Sequence, residues 1–223
     1  FQLNDLASTL AIRYPDDKRV VELYAGHLIA SGELEQALAL YKSHLADQPP
    51  AEEYFRAVID IESYLQHPDS VDKYVTRALE LFPAKVDFHL SKGHVMSNSK
   101  QYVKAIGAYK GALRHADTDS LRSVIWGMIG DAWHQKAEAG EPNLERLPLQ
   151  TGLLGKKGIA RKAMKECYKA YERSLRYWPD NTMVLNNYAY FLSLEGRDLE
   201  RALAMAGRAI VLEENNPTYL DTY

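Results

Sequence analysis

The sequence has 223 residues, 46% of them hydrophobic and 26% charged, and this balance is typical of a folded chain with a substantial core. A net charge of −3 and a pI near 6.2 argue against a generic nucleic-acid-binding protein, because such domains usually carry a clear basic excess. No stretch reaches the roughly 18 consecutive apolar residues of a membrane-spanning helix, and a single cysteine excludes an internal disulfide.

The first 17 residues have the pattern of one helix. Pro15 ends the pattern, and the apolar residues recur at helical spacing: Leu3, Leu6, Leu10 and Ala11. We interpret residues 1–17 as the second helix of an incomplete repeat. Because both ends of the sequence fall inside repeat patterns and it begins without Met, we expect it to be a piece of a longer protein.

Residues 18–51 have the pattern of a helix–turn–helix unit. Gly32 separates two helices, and Pro49 closes the second. The apolar positions of the first helix are Val21, Tyr24, Ala25 and Leu28, and those of the second are Ala37, Leu38, Tyr41 and Leu45. Neither helix can bury its apolar stripe alone, so the pattern predicts an antiparallel pair.

This spacing recurs along the chain with a period of about 34 residues. Pro83, for example, lies 34 residues after Pro49. We place further repeats at 52–85, 86–119, 123–181 and 182–216, with the start of another at 217–223. The second repeat has Glu62 where an apolar residue is usual and Val71 where alanine is usual, and we expect its helices to pack less closely there.

The third and fourth repeats carry glycine at the small position of their first helices, Gly93 and Gly130. The second helix of the fourth repeat begins late, and counting back from Pro179 leaves about 25 extra residues, which we place at 138–162. Prolines and glycines in this insertion argue against one long helix before Ile159, and the helical pattern resumes from that residue. In the fifth repeat, Gly196 is the expected helix stop and Asp198 the expected N-cap of the next helix.

The order of residue types in the first repeat resembles the tetratricopeptide repeat (TPR): a large residue, small Ala25, loop Gly32, small Ala37, aromatic Tyr41 and terminal Pro49. The last quarter, with LNNYAY and LDTY, resembles a bacterial TPR subtype of cell-envelope proteins in Gram-negative bacteria. The resemblance implies an all-α, right-handed superhelical solenoid of about five antiparallel helix pairs, with a protein-binding role. The subtype favours the periplasm or cell envelope over the cytoplasm.

In such an array, the free faces of the first helices of successive repeats line the concave side. Counting positions from each repeat start predicts a peptide-binding lining of Arg56, Asp60, Leu90, His94, Asp131, His134, Asn186, Asn187 and Tyr190. Such a mixed polar surface suits an extended peptide, because Asn and Asp side chains can form hydrogen bonds with the peptide backbone. The competing interpretation is that these are solvated helix faces. The leading hypothesis is therefore a non-catalytic scaffold for a protein or extended peptide, and the oligomeric state stays open.

Positive charge concentrates between Glu141 and Tyr177, where nine Lys and Arg residues stand against four Glu, a net charge of +5. The candidate basic patch is Lys156, Lys157, Arg161, Lys162 and Lys165. It suits an acidic partner or an anionic membrane surface, so an envelope adaptor is an alternative function, and a solvated helix face is the plain interpretation. A third hypothesis is the non-catalytic arm of a larger enzyme such as a glycosyltransferase.

Motifs that carry chemistry are absent from the sequence. The seven histidines lack the spacing of a metal site, and GLLGKKG lacks the spacing of a phosphate-binding loop. Cys167 occupies a small packing position, which predicts a buried core thiol. We therefore expect no catalytic residue, metal, cofactor or nucleic-acid partner.

Overall fold

The computed structural model describes residues 2–47, 50–139, 152–213 and 216. Within these ranges the chain is all-α, as the sequence predicts. Its helices are α1 (Gln2–Arg13), α2 (Lys18–Ala30), α3 (Leu34–Asp47), α4 (Glu52–Tyr64), α5 (Pro68–Leu81), α6 (Val86–Asn98), α7 (Tyr102–His115), α8 (Asp119–Ala139), α9 (Gly152–Tyr177), α10 (Thr182–Leu194) and α11 (Leu199–Leu212). The chain divides into two compact units, Phe1–Ser91 and Lys92–Tyr223, with the boundary inside α6.

In the first unit, helices that are neighbours in sequence pack against each other, and the buried residues of α2 and α3 are largely those that the pattern predicts. The stripe predicted for α1 is partly wrong. Leu6 is 56% exposed, whereas the next residue, Ala7, is 2% exposed and lies in the core. One residue turns a helix by about 100°, so a small error in the position of the face exchanges a core residue for a surface one.

Glu62 on α4 does not loosen the second repeat, because polar partners surround its carboxylate. Glu62 is only 2% exposed, and Val71 is buried as well. Lys42 Nζ lies 2.6 Å from Oε1 and His67 Nδ1 lies 2.8 Å from Oε2, and the Ser70 hydroxyl also donates to Oε1. Burial raises the pKa of Glu62, but Lys42, Ser70 and His67 together outweigh burial and lower it. The carboxylate thus joins α3, α4 and the start of α5.

The turns between paired helices repeat one backbone geometry. Gly32, Gln66 and Lys100 follow one another at 34-residue intervals, and each has positive φ, at 78°, 59° and 59°. Gly196 has the same conformation, with φ of 61°. In each turn the next residue's N–H donates to a carbonyl five residues earlier, as in Glu33 to Leu28 at 2.8 Å. This is the Schellman motif, which ends a helix by satisfying its last carbonyls.

In the second unit, glycines let aromatic rings lie directly on a facing helix. A Cβ atom added at Gly93 would lie 2.1 Å from Tyr109 Cε1, and one added at Gly130 would lie 2.4 Å from Tyr171 Cε1. Both distances are far below van der Waals contact, so α6 and α8 need glycine at these positions. Tyr171 is fully buried beside Cys167, and burial raises the pKa of the Cys167 thiol to about 12. The prediction of a buried core thiol is therefore confirmed.

A buried polar trio joins α8, α9 and α10. The Ser174 hydroxyl donates to the Ser123 carbonyl at 2.8 Å, and the two hydroxyls lie 2.9 Å apart. Asn181 Nδ2 donates to the Ser123 hydroxyl at 3.0 Å. Its Oδ1 accepts from the Val184 N–H, so Asn181 also caps α10.

One expectation at a helix end is wrong, and another holds for the position alone. α9 begins at Gly152 rather than near Ile159, so glycines lie within its first turns. Of the predicted insertion 138–162, residues 140–151 lie outside the described part of the chain. Asp198 stands at the N-cap position of α11, but with φ of 45° its side chain makes no capping hydrogen bond.

Candidate peptide-binding surface

Close packing of α10 on α8 assembles the candidate site. A Cβ atom added at Gly127 would lie 2.8 Å from Val184 Cγ2, so the glycine lets the two helices approach. Asn187 and Phe191 stand one turn apart on the same side of α10 as Val184. They meet Asp131 and His134, which lie three residues apart and so share one side of α8.

The carboxylate of Asp131 is the centre of this contact. Its Oδ1 accepts hydrogen bonds from the Tyr171 hydroxyl at 2.5 Å and from Asn187 Nδ2 at 3.2 Å. Its Oδ2 accepts none from the described residues, yet it is not among the buried side-chain atoms without a partner. Burial raises the pKa of Asp131, and the bonds from Tyr171 and Asn187 and the nearby His134 offset this only in part. The site thus holds a desolvated carboxylate with one oxygen available.

An aromatic stack lies beside Asp131. The His134 ring lies on the Phe191 ring with centroids 3.6 Å apart and an interplanar angle of 15°. Burial lowers the pKa of His134, although Glu138 and Asp131 oppose it, so the ring is mostly neutral near pH 7. Tyr190 packs edge-on against Phe191 and is 45% exposed. An apolar contact area and a carboxylate are thereby adjacent.

Two polar side chains of α6, Ser97 and His94, contact other helices of the second unit. The Ser97 hydroxyl donates to Gln135 Oε1 on α8 at 2.7 Å. His94 packs edge-on against Tyr109 with centroids 5.8 Å apart, and partial desolvation lowers the pKa of His94. We define the Asp131 surface as Asp131, His134, Gln135, Asn187, Tyr190 and Phe191.

The other predicted lining residues lie outside the Asp131 surface. Asn186 is only 6% exposed, and its Oδ1 has no donor within the described part of the chain, so it offers almost no surface to a peptide. In the first unit, Arg56 lies 2.7 Å from Glu52 and 2.9 Å from Asp87, so its charge is paired with two carboxylates. Asp60 is exposed and Leu90 is half-buried.

The predicted basic patch is only partly described. The side chains of Lys156 and Lys157 lie outside the described part of the chain. Arg161, Lys162 and Lys165 are exposed on α9, and Arg161 and Lys165 line an open groove that Lys162 does not line.

The described residues hold no group of three or more His, Cys, Asp or Glu side chains arranged to bind a metal ion. None of the described helices is long and apolar enough to cross a membrane.

Comparison with known proteins places the fold. No protein-family model and no curated protein matches the sequence. Among solved structures, the chain is similar to YrrB, described as a TPR protein with an unusual peptide-binding site. The TM-score is 0.62 at 16% identity, covering 96% of both chains. The chain has the tetratricopeptide-repeat fold.

Other TPR-like neighbours agree with this assignment. MamA from Desulfovibrio magneticus RS-1 has a TM-score of 0.66 at 14% identity, covering 91% of this chain and 98% of that one. A chain of the Cut9–Hcn1 hetero-tetramer has a TM-score of 0.62 at 14% identity, covering 98% of this chain and 38% of that one. At such identities the likeness establishes the TPR fold and nothing about the partner.

TPR position counting missed three residues that shape the Asp131 surface. Tyr171 has the place of a core aromatic in the TPR pattern, which gives no sign that its hydroxyl reaches Asp131. Phe191 and Gln135 were not singled out either. A usable signal for Phe191 was its place four residues after Asn187, because residues so spaced share a helix face.

Proposed function

We propose that the chain is a non-catalytic protein-binding scaffold that holds an extended peptide on the Asp131 surface. The observation that carries this is the half-buried carboxylate of Asp131. Tyr171 and Asn187 hold its Oδ1, no described residue donates to its Oδ2, and the His134–Phe191 stack lies beside it. Desolvating a carboxylate costs free energy, and a site that keeps such a group at its surface is a candidate for binding.

The chemistry of a peptide fits these groups. A backbone N–H or a cationic side chain can donate to Asp131 Oδ2. An apolar side chain can pack on the exposed edge of the Phe191 stack, and exposed Tyr190 offers an apolar ring with a polar hydroxyl. The structural likeness to YrrB, whose description names a peptide-binding site, supports the peptide class as well. The envelope location suggested by LNNYAY and LDTY stays a prediction.

A selection from displayed peptides, followed by calorimetric titration of the enriched peptides, tests the proposal. We expect Tyr190→Ala to weaken binding by about tenfold, as loss of an exposed aromatic anchor does. Tyr177→Ala is the matched control, because Tyr177 is 42% exposed, close to the 45% of Tyr190. This control should leave the affinity within about twofold, since surface substitutions away from a site have small effects.

Asp131→Asn is the second variant, and we expect it to weaken binding while keeping the fold. The folded pKa of Asp131 is raised, so ionised Asp131 opposes folding above that pKa, and the neutral amide removes this penalty near neutral pH. Selection of no peptide, or equal losses with Tyr190→Ala and Tyr177→Ala, would overturn the proposal.

A further inference from the structure

A second groove lies in the second unit, between α9 and the turn that joins α10 to α11. Its volume is about 1000 Å³. Tyr168 and Tyr188 contribute two stacked rings to it, with centroids 5.3 Å apart and an interplanar angle of 22°. It shares no residue with the Asp131 surface.

Cations form two rows along this groove. On α9, Arg161, Lys165 and Lys169 recur every fourth residue and all line the groove. A helix rises 1.5 Å per residue, so neighbours in this row are separated by about 6 Å along α9. Arg197 and Arg201 form the other row, with guanidinium carbons 5.6 Å from the Tyr168 centroid and 4.9 Å from the Tyr188 centroid.

Acidic side chains neutralise only part of this charge. Arg201 lies 3.5 Å from Glu172 and Arg197 lies 3.2 Å from Glu195, while Lys169 pairs with Glu166 at 2.8 Å. Within the described part of the chain, Arg161 and Lys165 form no ion pair, and both are exposed. Five cations line the groove against three carboxylates, those of Glu172, Glu195 and Asp198, because Glu166 does not line it. The net charge of the lining is therefore positive.

We propose that this groove binds an acidic peptide segment in an extended conformation, with carboxylates at alternate positions. Alternate residues of an extended chain lie on one side, about 6.6 Å apart, close to the spacing of the α9 cations. Carboxylates then meet Arg161 and Lys165 in turn, and the opposite side of the segment faces Arg197 and Arg201, whose guanidinium groups cover the buried rings of Tyr168 and Tyr188.

Fluorescence anisotropy with a labelled seven-residue peptide tests this proposal. The probe is acetylated and amidated, with glutamate at alternate positions, and the reference probe carries glutamine instead. Arg161→Ala/Lys165→Ala should weaken binding of the glutamate probe by about two- to thirty-fold, the effect of losing two exposed ion pairs. The affinity of the unchanged chain for the glutamine probe should be no higher than the affinity of Arg161→Ala/Lys165→Ala for the glutamate probe.

Lys162→Ala/Arg176→Ala is the matched control. It removes the same charge from exposed positions on α9 that do not line the groove, and it should change the affinity by less than about twofold. Equal losses in the two double variants would overturn the proposal, because attraction to any basic surface would then explain binding. Binding to vesicles of anionic lipid that depends on Arg161 and Lys165, without binding of the glutamate probe, would overturn it in favour of a membrane surface. Circular dichroism of each variant verifies the fold.

Discussion

At the scale of single residues, two desolvated carboxylates show how a structural site differs from the proposed binding site. Lys42, His67 and Ser70 donate to both oxygens of Glu62, and its pKa is lowered in the folded chain. Among the described residues, Asp131 has donors on one oxygen only, and its pKa is raised. Folding therefore favours the charge of Glu62 and opposes the charge of Asp131. The first stabilises the fold, and the second retains capacity for a ligand.

Glu62→Gln should lower the free energy of unfolding by about 1–3 kcal/mol at pH 7, because the Lys42 ammonium and the other two donors lose their charged acceptor. The folded pKa lies below the ordinary value of 4.5, so the contribution is complete above that value and is lost as pH falls through the folded pKa. The difference between the two proteins should shrink over this range in urea titrations followed by circular dichroism.

Glu53→Gln provides the control for this prediction. Glu53 also lies on α4 and pairs with Lys18 at 3.1 Å, but it is 60% exposed. Its loss should cost less than about 1 kcal/mol, as for other exposed pairs. If Glu62→Gln and Glu53→Gln lower the free energy of unfolding equally at pH 7, the buried cluster around Glu62 has no special role.

At the scale of helices and turns, the repeat is maintained by backbone geometry more than by residue type. The helix ends at Gly32 and Gly196 were predicted, and both glycines have positive φ, which glycine readily adopts. Those at Gln66 and Lys100 were not, since neither residue marks such a turn in the sequence. Packing of α4 on α5 and of α7 on α8 stabilises the fold enough to hold non-glycine residues in a conformation that costs roughly 1–2 kcal/mol.

Gln66→Gly and Lys100→Gly should therefore each stabilise the chain. Relief of the left-handed strain exceeds the added entropy of the unfolded chain, for a net gain of about 0.5–1 kcal/mol. Gly32→Ala should act in the opposite direction by about 1 kcal/mol or more, because it introduces the same strain. Thermal and urea unfolding measure these changes, and a loss of stability in both glycine variants would refute the argument.

Glycines inside helices allow a matched comparison of packing. Gly93→Ala and Gly130→Ala should each cost about 1–3 kcal/mol, because the added methyl group meets the ring of Tyr109 or Tyr171. Gly26→Ala and Gly107→Ala also lie within helices but add a methyl group with nothing within 4 Å, and they should stabilise by up to about 1 kcal/mol. Urea unfolding compares the two pairs, and equal effects would show that ring contact does not limit the helix approach.

At the scale of the whole molecule, a chain of helical repeats is stabilised mainly by contacts between neighbours. The two compact units each contain their own buried residues, such as Phe55 in the first and Tyr171 in the second. A defect in one unit is therefore expected to act locally. A single free energy of unfolding then describes the whole chain less well than local measurements do.

Hydrogen exchange followed by mass spectrometry tests this locality. Gly130→Ala should speed exchange in α8, α9 and α10 while leaving α2 and α3 close to the unchanged chain, because the altered contact with Tyr171 lies in the second unit. Glu62→Ala should do the reverse, with faster exchange in α3, α4 and α5. Uniform acceleration along the chain in either variant would show that the molecule opens as one cooperative unit.

The sequence by itself determined the all-α class, the 34-residue period and most of the buried stripe. These properties depend on local spacing, which a helix converts directly into a shared face. Only the tertiary structure decided that Glu62 is buried among donors, that Tyr171 reaches Asp131, and that Arg161 and Lys165 share a groove with Arg201. Each of these brings together residues from different helices, and their proximity depends on how closely those helices pack. Gly127 helps to set how closely α8 and α10 approach, and the spacing of residues along one helix does not predict that distance.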